Sequence, residues 1–278
     1  MAEPPGLEAV RRALAEDRAA EDVTTQLLGR QAASRMGGRF RAQGRFVVAG
    51  LSLAELAFRE LDPAAAFTAC VSEGEEVESG AVLATVEASA RALLGAERVA
   101  LNFLQRLSAI ATATRAAVRA VAGTGARITH TRKTTPGLRA IERYAVSVGG
   151  GVENRGSLAE AVFWKDNHWE LLERSGRRLA EVLAAAPAGL PVIVEAETDA
   201  QFEEALAAGV THIVADNQPP ERIAQWARRA GPGVTIQASG GITPATARAY
   251  AVAGASLISM GALTHSVCAA PIGFEVVR

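Results

Sequence analysis

The chain has 278 residues, of which 49% are hydrophobic and 21% are charged, and its formal net charge at pH 7 is −1. This length is sufficient for one α/β barrel and a smaller domain. The near-zero charge excludes a generally basic, nucleic-acid-binding surface, so a cationic site must be local. Without a basic-then-apolar signal layout or a membrane-length apolar run, the sequence predicts a soluble, cytoplasmic protein. Cys70 and Cys268 lack metal-site spacing, and we expect both to be buried free thiols.

Residues 1–121 predict helices and a mixed sheet. Residues 7–16 have the pattern of a short helix, and Asp22 is a candidate cap for the next helical turn. Alternating apolar residues broken by turns predict strands between residues 37 and 87, with a helical run at 51–60. Residues 91–121 predict a long amphipathic helical region, as one helix or two, which links this part to the remainder.

From residue 124 onward, short apolar runs recur, and each ends in a charged, polar or glycine-rich tip. Helix-like stretches separate most of these runs, a pattern typical of a parallel α/β barrel. The strand tips of such a barrel converge at one mouth, so we expect the tips to form one site. The predicted strands are 126–131, 162–164, 191–194, 211–215, 234–238 and 257–259.

Three loops in this half carry cations. Arg132 and Lys133 share a turn with threonines, a proline and a glycine, and both side chains suit carboxylate or phosphate groups. Three consecutive glycines allow close backbone approach to a ligand shortly before Arg155. Lys165 begins a polar cluster directly after a strand, and His168 ends it. Each feature also has a plainer explanation, as a solvated charged turn, a helix cap with a flexible loop, or a loop ordered by hydrogen bonds.

Carboxylates stand at two adjacent tips, at Glu195, Glu197 and Asp216. Glu195 and Glu197 point to the same side of an extended chain because strand side chains alternate with period two. These carboxylates can bind ribose hydroxyls, hold magnesium or stabilise a positive transition state, or they can neutralise Lys133 or Lys165. We expect Glu197 and Asp216 to be the functional pair.

The last two tips, at 238–243 and 259–263, are rich in glycine, and each opens a helix. In phosphate-using barrels the last two strands surround a phosphate with backbone N–H groups and a helix N-terminus. No cysteine or serine has an evident activating base. The mouth therefore predicts transfer at a sugar carbon, with a phosphorylated ribose, an acidic co-substrate and a departing pyrophosphate that needs magnesium.

In their content and order, these motifs resemble the quinolinate phosphoribosyltransferase family (nicotinate-nucleotide pyrophosphorylase, carboxylating). The resemblance covers nearly the whole chain. The segments that carry it are 21–25, 97–102, 131–137, the glycine-rich stretch that ends at Arg155, 165–168, 194–197, 216–217, 238–242 and 258–263.

The resemblance implies that quinolinate and phosphoribosyl pyrophosphate give nicotinate mononucleotide, pyrophosphate and carbon dioxide, with Mg2+, in de novo NAD synthesis. It implies an α/β fold, with an incomplete parallel, TIM-like α/β barrel at 111–264. An N-terminal α/β sandwich is implied at 1–110, and the C-terminal tail 265–278 joins it. A homodimer with shared active sites is also implied, and no nucleic-acid or membrane partner is expected.

The resemblance assigns roles to single residues. Lys133, Lys165, Glu197 and Asp216 are implied to be catalytic, and Arg98 is implied to come from the partner subunit. Glu197 and Asp216 would face the ribose and hold Mg2+, directly or through water or the pyrophosphate. The residues implied to bind substrate are Arg98, Thr131, Arg132, Lys133, Asn154, Arg155, Lys165, Glu197, Asp216, Ser239, Gly240, Gly241, Met260, Gly261 and Ala262.

Some positions depart from the family pattern. Asn154 stands where the family has a histidine, His130 stands where aspartate is common, and Trp164 and Trp169 replace aliphatic residues. Asparagine can donate a hydrogen bond to a carboxylate but cannot carry charge, so the acid substrate or its affinity can differ. Two alternatives stay open: a paralogous phosphoribosyltransferase that acts on another aromatic or heterocyclic acid, and a non-catalytic ligand-binding relative.

Overall fold

The computed structural model describes residues 6–277. Its α-helices are α1 (Leu7–Glu16), α2 (Val23–Gln26), α3 (Leu51–Leu61), α4 (Ala90–Ala120), α5 (Arg139–Val148), α6 (Asp166–Ser175), α7 (Leu179–Leu183), α8 (Asp199–Ala207), α9 (Pro220–Ala230), α10 (Pro244–Val252) and α11 (Ala262–His265). Its strands are β1 (Arg35–Ala42), β2 (Phe46–Val47), β3 (Ala66–Ala69), β4 (Glu76–Val77), β5 (Val82–Ser89), β6 (Arg127–Thr129), β7 (Val162–Trp164), β8 (Val192–Ala196), β9 (His212–Asp216), β10 (Thr235–Ser239), β11 (Leu257–Ser259) and β12 (Ile272–Val277). Across the described range, no helix has the length and apolar character needed to cross a bilayer.

Contacts divide the described chain into two units. The first comprises 6–115, 135–150 and 266–277, and the second comprises 116–134 and 151–265. The predicted boundary between the two domains lies at residue 110, with 111–264 as one barrel. Residues 135–150 belong by their contacts to the first unit, because Ile141, Ala145 and Val146 of α5 are buried in its core.

The first unit contains a four-stranded antiparallel sheet in the order β12-β1-β5-β3. The core buries residues of α1, α3 and the long helix α4 together with this sheet. Strand β12 places the C-terminal tail beside β1, where Phe40 is paired with Phe274. The predicted α1 is confirmed, and Asp22 caps α2 by accepting the N–H groups of Thr24 and Thr25 at 2.9 and 3.2 Å.

The two cysteines are exposed, and the expectation that they are buried is wrong. Cys70 directly follows β3, which is an edge strand with mostly exposed residues. Cys268 lies in the segment between α11 and β12. Both positions are outside the core that would have covered them.

A glycine in β1 gives a stability prediction for the first unit. At Gly38 a Cβ atom would lie 2.2 Å from Cζ of Phe274, whose ring centroid is 4.8 Å from that of Phe40. Gly38→Ala is expected to lower the free energy of unfolding by about 1–3 kcal/mol, because the ring must leave its packed position. The matched control is Gly37→Ala, whose Cβ would meet Val277 at an ordinary 3.8 Å. Urea unfolding measures both, and equal stabilities of the two variants would contradict the prediction.

The second unit contains a six-stranded parallel sheet in the order β6-β11-β10-β9-β8-β7. All six predicted strands are present, and β7 and β11 have the predicted limits. Val152 adds an isolated parallel bridge to Thr129 at the edge of β6. Within residues 6–277 the edge strands β6 and β7 do not pair with each other, so the barrel is incomplete. The predicted α/β fold class is confirmed.

Candidate active site

A cavity of about 440 Å³ lies at the carboxyl ends of the parallel strands of the second unit. Its volume falls in the range of ordinary small-molecule sites. Four cations and three carboxylates face it, so it is suited to charged ligands rather than to an apolar one. The lining residues are Thr131, Arg132, Lys133, Asn154, Arg155, Phe163, Lys165, Asp166, Glu195, Val214, Asp216, Gln237, Ser239 and Ser259.

The cavity brings together eight of the residues that the sequence predicted. These are Thr131, Arg132, Lys133, Asn154, Arg155, Lys165, Asp216 and Ser239. Seven predicted residues do not line it, namely Arg98, Glu197, Gly240, Gly241, Met260, Gly261 and Ala262. Arg98 is an exposed residue of α4 in the first unit, and it lines another cavity there.

The only two lysines of the 278-residue chain, Lys133 and Lys165, both line the cavity. Every other cationic side chain of the Lys/Arg class is arginine. Lysine presents a compact ammonium on a flexible stem, whereas arginine presents a planar fork. The two lysines therefore bring compact ammonium groups to the cavity, whereas the arginines bring planar forks.

Contacts within the second unit fix the backbone and stem of Lys133. Its carbonyl accepts the hydroxyl of Thr264 at 2.7 Å, and its N–H donates to Oγ1 of Thr131 at 3.1 Å. A Cβ atom at Gly261 would lie 3.1 Å from Cδ of Lys133 and 2.8 Å from Nε2 of His265. Gly261 therefore contributes to the site by leaving room for Lys133, although it does not line the cavity.

The loop before Arg155 is held by Asn154 and His130. Asn154 Nδ2 donates to the carbonyl of His130 at 3.2 Å, and Asn154 Oδ1 accepts the N–H of Arg155 at 2.8 Å. The N–H of Asn154 also points to Nε2 of His130 at 3.2 Å, and the same ring nitrogen lies 3.2 Å from Oε2 of Glu153. The Asn154 side chain thus holds the loop, and Arg155 is the cation that the loop presents.

Two guanidinium groups of the cavity, those of Arg155 and Arg132, are not fully stabilised by the groups around them. Burial lowers the pKa of Arg155 below its ordinary value, and the charge of Arg132 lowers it further. Arg132 has a buried Nε without a hydrogen-bond partner within residues 6–277. A buried donor of this kind is costly unless a ligand satisfies it, and a carboxylate matches the planar fork of arginine. The pair therefore fits an anionic ligand.

Lys165 and Glu195 form the central ion pair of the cavity, with 2.8 Å between Nζ and Oε2. Lys165 follows β7, and Glu195 is a buried residue of the neighbouring strand β8. Trp169 Nε1 donates to the carbonyl of Glu195 at 2.7 Å, which fixes the backbone on the other side. Burial raises the pKa of the Glu195 carboxyl above its ordinary value, and the hydrogen bond from Lys165 opposes this shift.

The carboxylates differ from the predicted arrangement. Glu195 lines the cavity, whereas Glu197 is exposed and does not. The period-two alternation ends with β8 at Ala196, and the N–H of Glu197 donates to Oε1 of Gln201 at 2.8 Å as the chain turns into α8. The carboxylates that line the cavity are therefore Asp166, Glu195 and Asp216.

The turn after β10 is built for close backbone approach. Gly240 has φ +96, and a Cβ atom there would lie 2.2 Å from Oδ1 of Asn217. Asn217 has φ +53, its N–H donates to the carbonyl of Ser239 at 2.9 Å, and its Nδ2 donates to Asp216 at 2.7 Å. The tips of β9 and β10 are thereby interlocked, with Asp216 and Ser239 paired in register at the cavity.

The raised pKa of Glu195 predicts a pH dependence. As the pH falls through a raised pKa, Glu195 takes up a proton at a higher pH than an ordinary glutamate, and Lys165 loses its charged partner. Activity and binding that need this pair are expected to decline on the acid side from that pH downward. Infrared difference spectra of the wild type and Glu195→Gln isolate this carboxyl. Its titration at or below the ordinary glutamate pKa would contradict the prediction.

The comparisons with known proteins agree over nearly the whole chain. Family models described as "Quinolinate phosphoribosyl transferase, N-terminal domain" and "C-terminal domain" match residues 22–108 and 110–275. The nicotinate-nucleotide pyrophosphorylase (carboxylating) of Mycobacterium leprae is 40% identical over 273 residues, covering 96% of this chain and 95% of that protein. Quinolinate phosphoribosyltransferase (decarboxylating) 1b of Nicotiana tabacum is 34% identical over 255 residues, covering 85% and 72%.

Solved structures give the same result. The nicotinate-nucleotide pyrophosphorylase of Ehrlichia chaffeensis matches with a TM-score of 0.89 at 30% identity, covering 97% of this chain and 98% of that chain. NadC of Streptococcus pyogenes matches with a TM-score of 0.90 at 34% identity, covering 100% of both chains. By sequence and by structure, the chain belongs to the quinolinate phosphoribosyltransferase family.

Proposed function

We propose that the protein is a pentosyltransferase that converts quinolinate and phosphoribosyl pyrophosphate to nicotinate mononucleotide, carbon dioxide and pyrophosphate, in de novo NAD synthesis. The observation that carries this function is the cavity, which joins four cations and three carboxylates at the carboxyl ends of a parallel sheet. It stands in a chain whose relatives of 34–40% identity carry the names of this activity.

The acid is bound in this proposal by the cationic side of the cavity. Arg132 and Arg155 supply planar donors for carboxylates, and the buried Nε of Arg132 gains a partner when the acid binds. Lys133 and Lys165 supply compact charges for the second carboxylate and the pyrophosphate. Because Asn154 is engaged with the backbone, charge recognition of the acid falls to these four residues.

The transfer step forms one bond and breaks another at the same sugar carbon. The pyridine nitrogen forms a bond to the ribosyl carbon, and the bond to pyrophosphate breaks with its electron pair leaving on oxygen. Positive charge develops on the ribosyl centre, and the carboxylates of Glu195 and Asp216 stabilise it. Carbon dioxide then leaves the ring carbon next to the nitrogen, and a proton takes its place on that carbon. The catalytic role predicted for Glu197 is assigned here to Glu195.

Magnesium fits this donor set as a companion of the pyrophosphate. Within residues 6–277 no three His, Cys, Asp or Glu residues are grouped as a metal cage, while Glu195 and Asp216 both line the cavity. Mg2+ in phosphate-using enzymes is held by one or two carboxylates together with substrate phosphates. We propose that Asp216 and Glu195 hold it in this way, and the ion would neutralise charge on the leaving pyrophosphate.

The 5′-phosphate is proposed to lie at the turns after β10 and β11. Ser239 and Ser259 line the cavity there, and Gly240 has no room for a side chain because Asn217 occupies the place of a Cβ atom. The N–H groups of Gly240 and Gly241 and of the segment 260–262 are the proposed donors. This assignment deepens the expectation drawn from the glycine-rich tips.

A homodimer with Arg98 supplied by the partner subunit is the proposed assembly. Arg98 is exposed, and exposed apolar side chains occur in the same unit at Val23, Leu27 and Leu94. Mixing Arg98→Ala with Lys165→Met protein tests this arrangement, because hybrid dimers regain one intact site. Recovery of about a quarter of wild-type activity supports shared sites, and no recovery would contradict them. The cytoplasmic location stays a prediction.

The function is tested by incubating the pure protein with phosphoribosyl pyrophosphate, Mg2+ and quinolinate and measuring nicotinate mononucleotide. Product formation that requires both substrates is the expected result. Absence of product with quinolinate, together with product from another aromatic acid, would favour the paralogue. Absence of binding of any of these ligands would favour a non-catalytic relative.

A further inference from the structure

One aromatic side chain of the cavity contacts two of its cations. Phe163 of β7 lines the cavity, and the guanidinium carbon of Arg155 is 4.3 Å from its ring centroid. Nζ of Lys165 is 4.8 Å from the same centroid. On its other side, the ring packs against the buried residues Ala161, Ile193 and Val214.

These distances are those of cation–π contacts, in which the negative face of the ring attracts a cation. Arg155 and Lys165 carry like charges and therefore repel each other. Burial and the charge of Arg132 also disfavour the charged form of Arg155, as its lowered pKa indicates. The ring provides each of them with a compensating contact that a branched aliphatic side chain cannot provide. The packing of Phe163 on β7 and β8 fixes the position of the ring, so the ring in turn restricts where the two charges lie.

The shared ring also limits how far apart the two charges are. The separation between the guanidinium carbon and Nζ cannot exceed the sum of their two distances to the centroid. Two cations held beside one ring can each meet one carboxylate of an acid that carries two. An acid with one carboxylate can meet only one of the two cations, and the other then keeps only the contacts it has without the acid, such as that of Lys165 with Glu195.

We propose that Phe163 is a positioning residue that holds Arg155 and Lys165 in place for an aromatic dicarboxylate and so favours it over a monocarboxylate. It acts through Arg155 and Lys165 rather than by contact with the reacting atoms. This inference rests on the proposed function for the identity of the acid, but not for the contacts of the ring.

The test compares Phe163→Leu, which removes the ring face, with Phe163→Tyr, which keeps it. Phe163→Leu is expected to raise the KM for quinolinate and the Kd of the unreactive diacid phthalate by about 5- to 30-fold. Phe163→Tyr is expected to stay within about threefold of the wild type, and the KM for phosphoribosyl pyrophosphate is expected to be unchanged in both. The affinity for the monoacid nicotinate is expected to change less than that for phthalate. Equal weakening in both variants, or an equal loss for the sugar donor, would overturn the proposal.

A second measurement is independent of any ligand. Because the chain has two lysines, a Lys133→Arg background leaves a single lysine side-chain signal in NMR spectra, that of Lys165. Its Hε protons are expected to show a ring-current shift that Phe163→Leu removes and Phe163→Tyr retains. An unchanged signal in Phe163→Leu would overturn the proposal.

Failure of the inference and failure of the proposed function give different results. If nicotinate mononucleotide forms and Phe163→Leu changes neither the KM for quinolinate nor the Kd of phthalate, the inference alone is contradicted. Absence of product, with phthalate binding that Phe163→Leu weakens, contradicts the proposed function and supports the inference. Absence of diacid binding by the wild type overturns both.

Discussion

Lys165→Met is expected to lower kcat/KM for quinolinate by about 10²- to 10³-fold while the protein stays folded. Nζ of Lys165 is 2.8 Å from Glu195 and faces the cavity, so its loss removes a positioned cation from the reaction centre. The Lys165 side chain is 42% exposed, and Glu195 can take up a proton when its partner is lost, so the cost in stability is limited. Nicotinate mononucleotide formation and thermal unfolding measure the two effects.

Two further variants separate charge from general disturbance at this site. Lys165→Arg keeps the charge but replaces the compact ammonium by a planar fork, and we expect it to remain strongly impaired. Arg174→Met is the matched control, since Arg174 is an exposed cation that pairs with Glu170 in α6, the helix that begins directly after Lys165. It is expected to retain wild-type activity. A Lys165→Met variant within about threefold of wild type would contradict the account of the ion pair.

Glu195→Gln and Glu197→Gln are expected to differ greatly, although the residues are two positions apart. Glu195 is buried, faces the cavity and holds Lys165, so its neutralisation removes the negative charge proposed for the ribosyl centre. We expect a loss of about 10²-fold or more in kcat. Glu197 is exposed outside the cavity, and we expect Glu197→Gln to stay within about threefold. Steady-state kinetics on both variants provide the comparison.

The reverse order of these effects would contradict the site as the structure arranges it. A large loss for Glu197→Gln with near-normal Glu195→Gln would restore the assignment made from the sequence. Urea unfolding of both variants serves as the control, because a misfolded Glu195→Gln protein would lose activity without informing on charge.

The strands and most of the cations were predictable from the sequence, because both are local signals. Short apolar runs that end in polar tips locate β7 and β11 at their true limits, and the tips place Lys165 and Asp216 at one mouth. Convergence of the tips follows from the parallel topology alone. Which side chains meet there can therefore be predicted without knowledge of the packing.

The parts that escaped prediction depend on where strands end and on what packs nearby. Alternation placed Glu195 and Glu197 together, but β8 ends at Ala196 and the chain then turns. Phe163 is read from the sequence as an ordinary apolar strand residue, and only its two cation contacts give it a role. The hydrogen bonds of Asn154 likewise join residues that are distant in sequence.

The chemistry assigned to the cavity is tested most directly by the stoichiometry of one reaction. Quinolinate labelled in the carboxylate next to the ring nitrogen is mixed with phosphoribosyl pyrophosphate, Mg2+ and the protein, and labelled carbon dioxide, pyrophosphate and nicotinate mononucleotide are measured together. The account predicts equal amounts of all three from the wild type and almost none from Lys165→Met. Ribosylation without release of the label, or equal yields from both proteins, would contradict it.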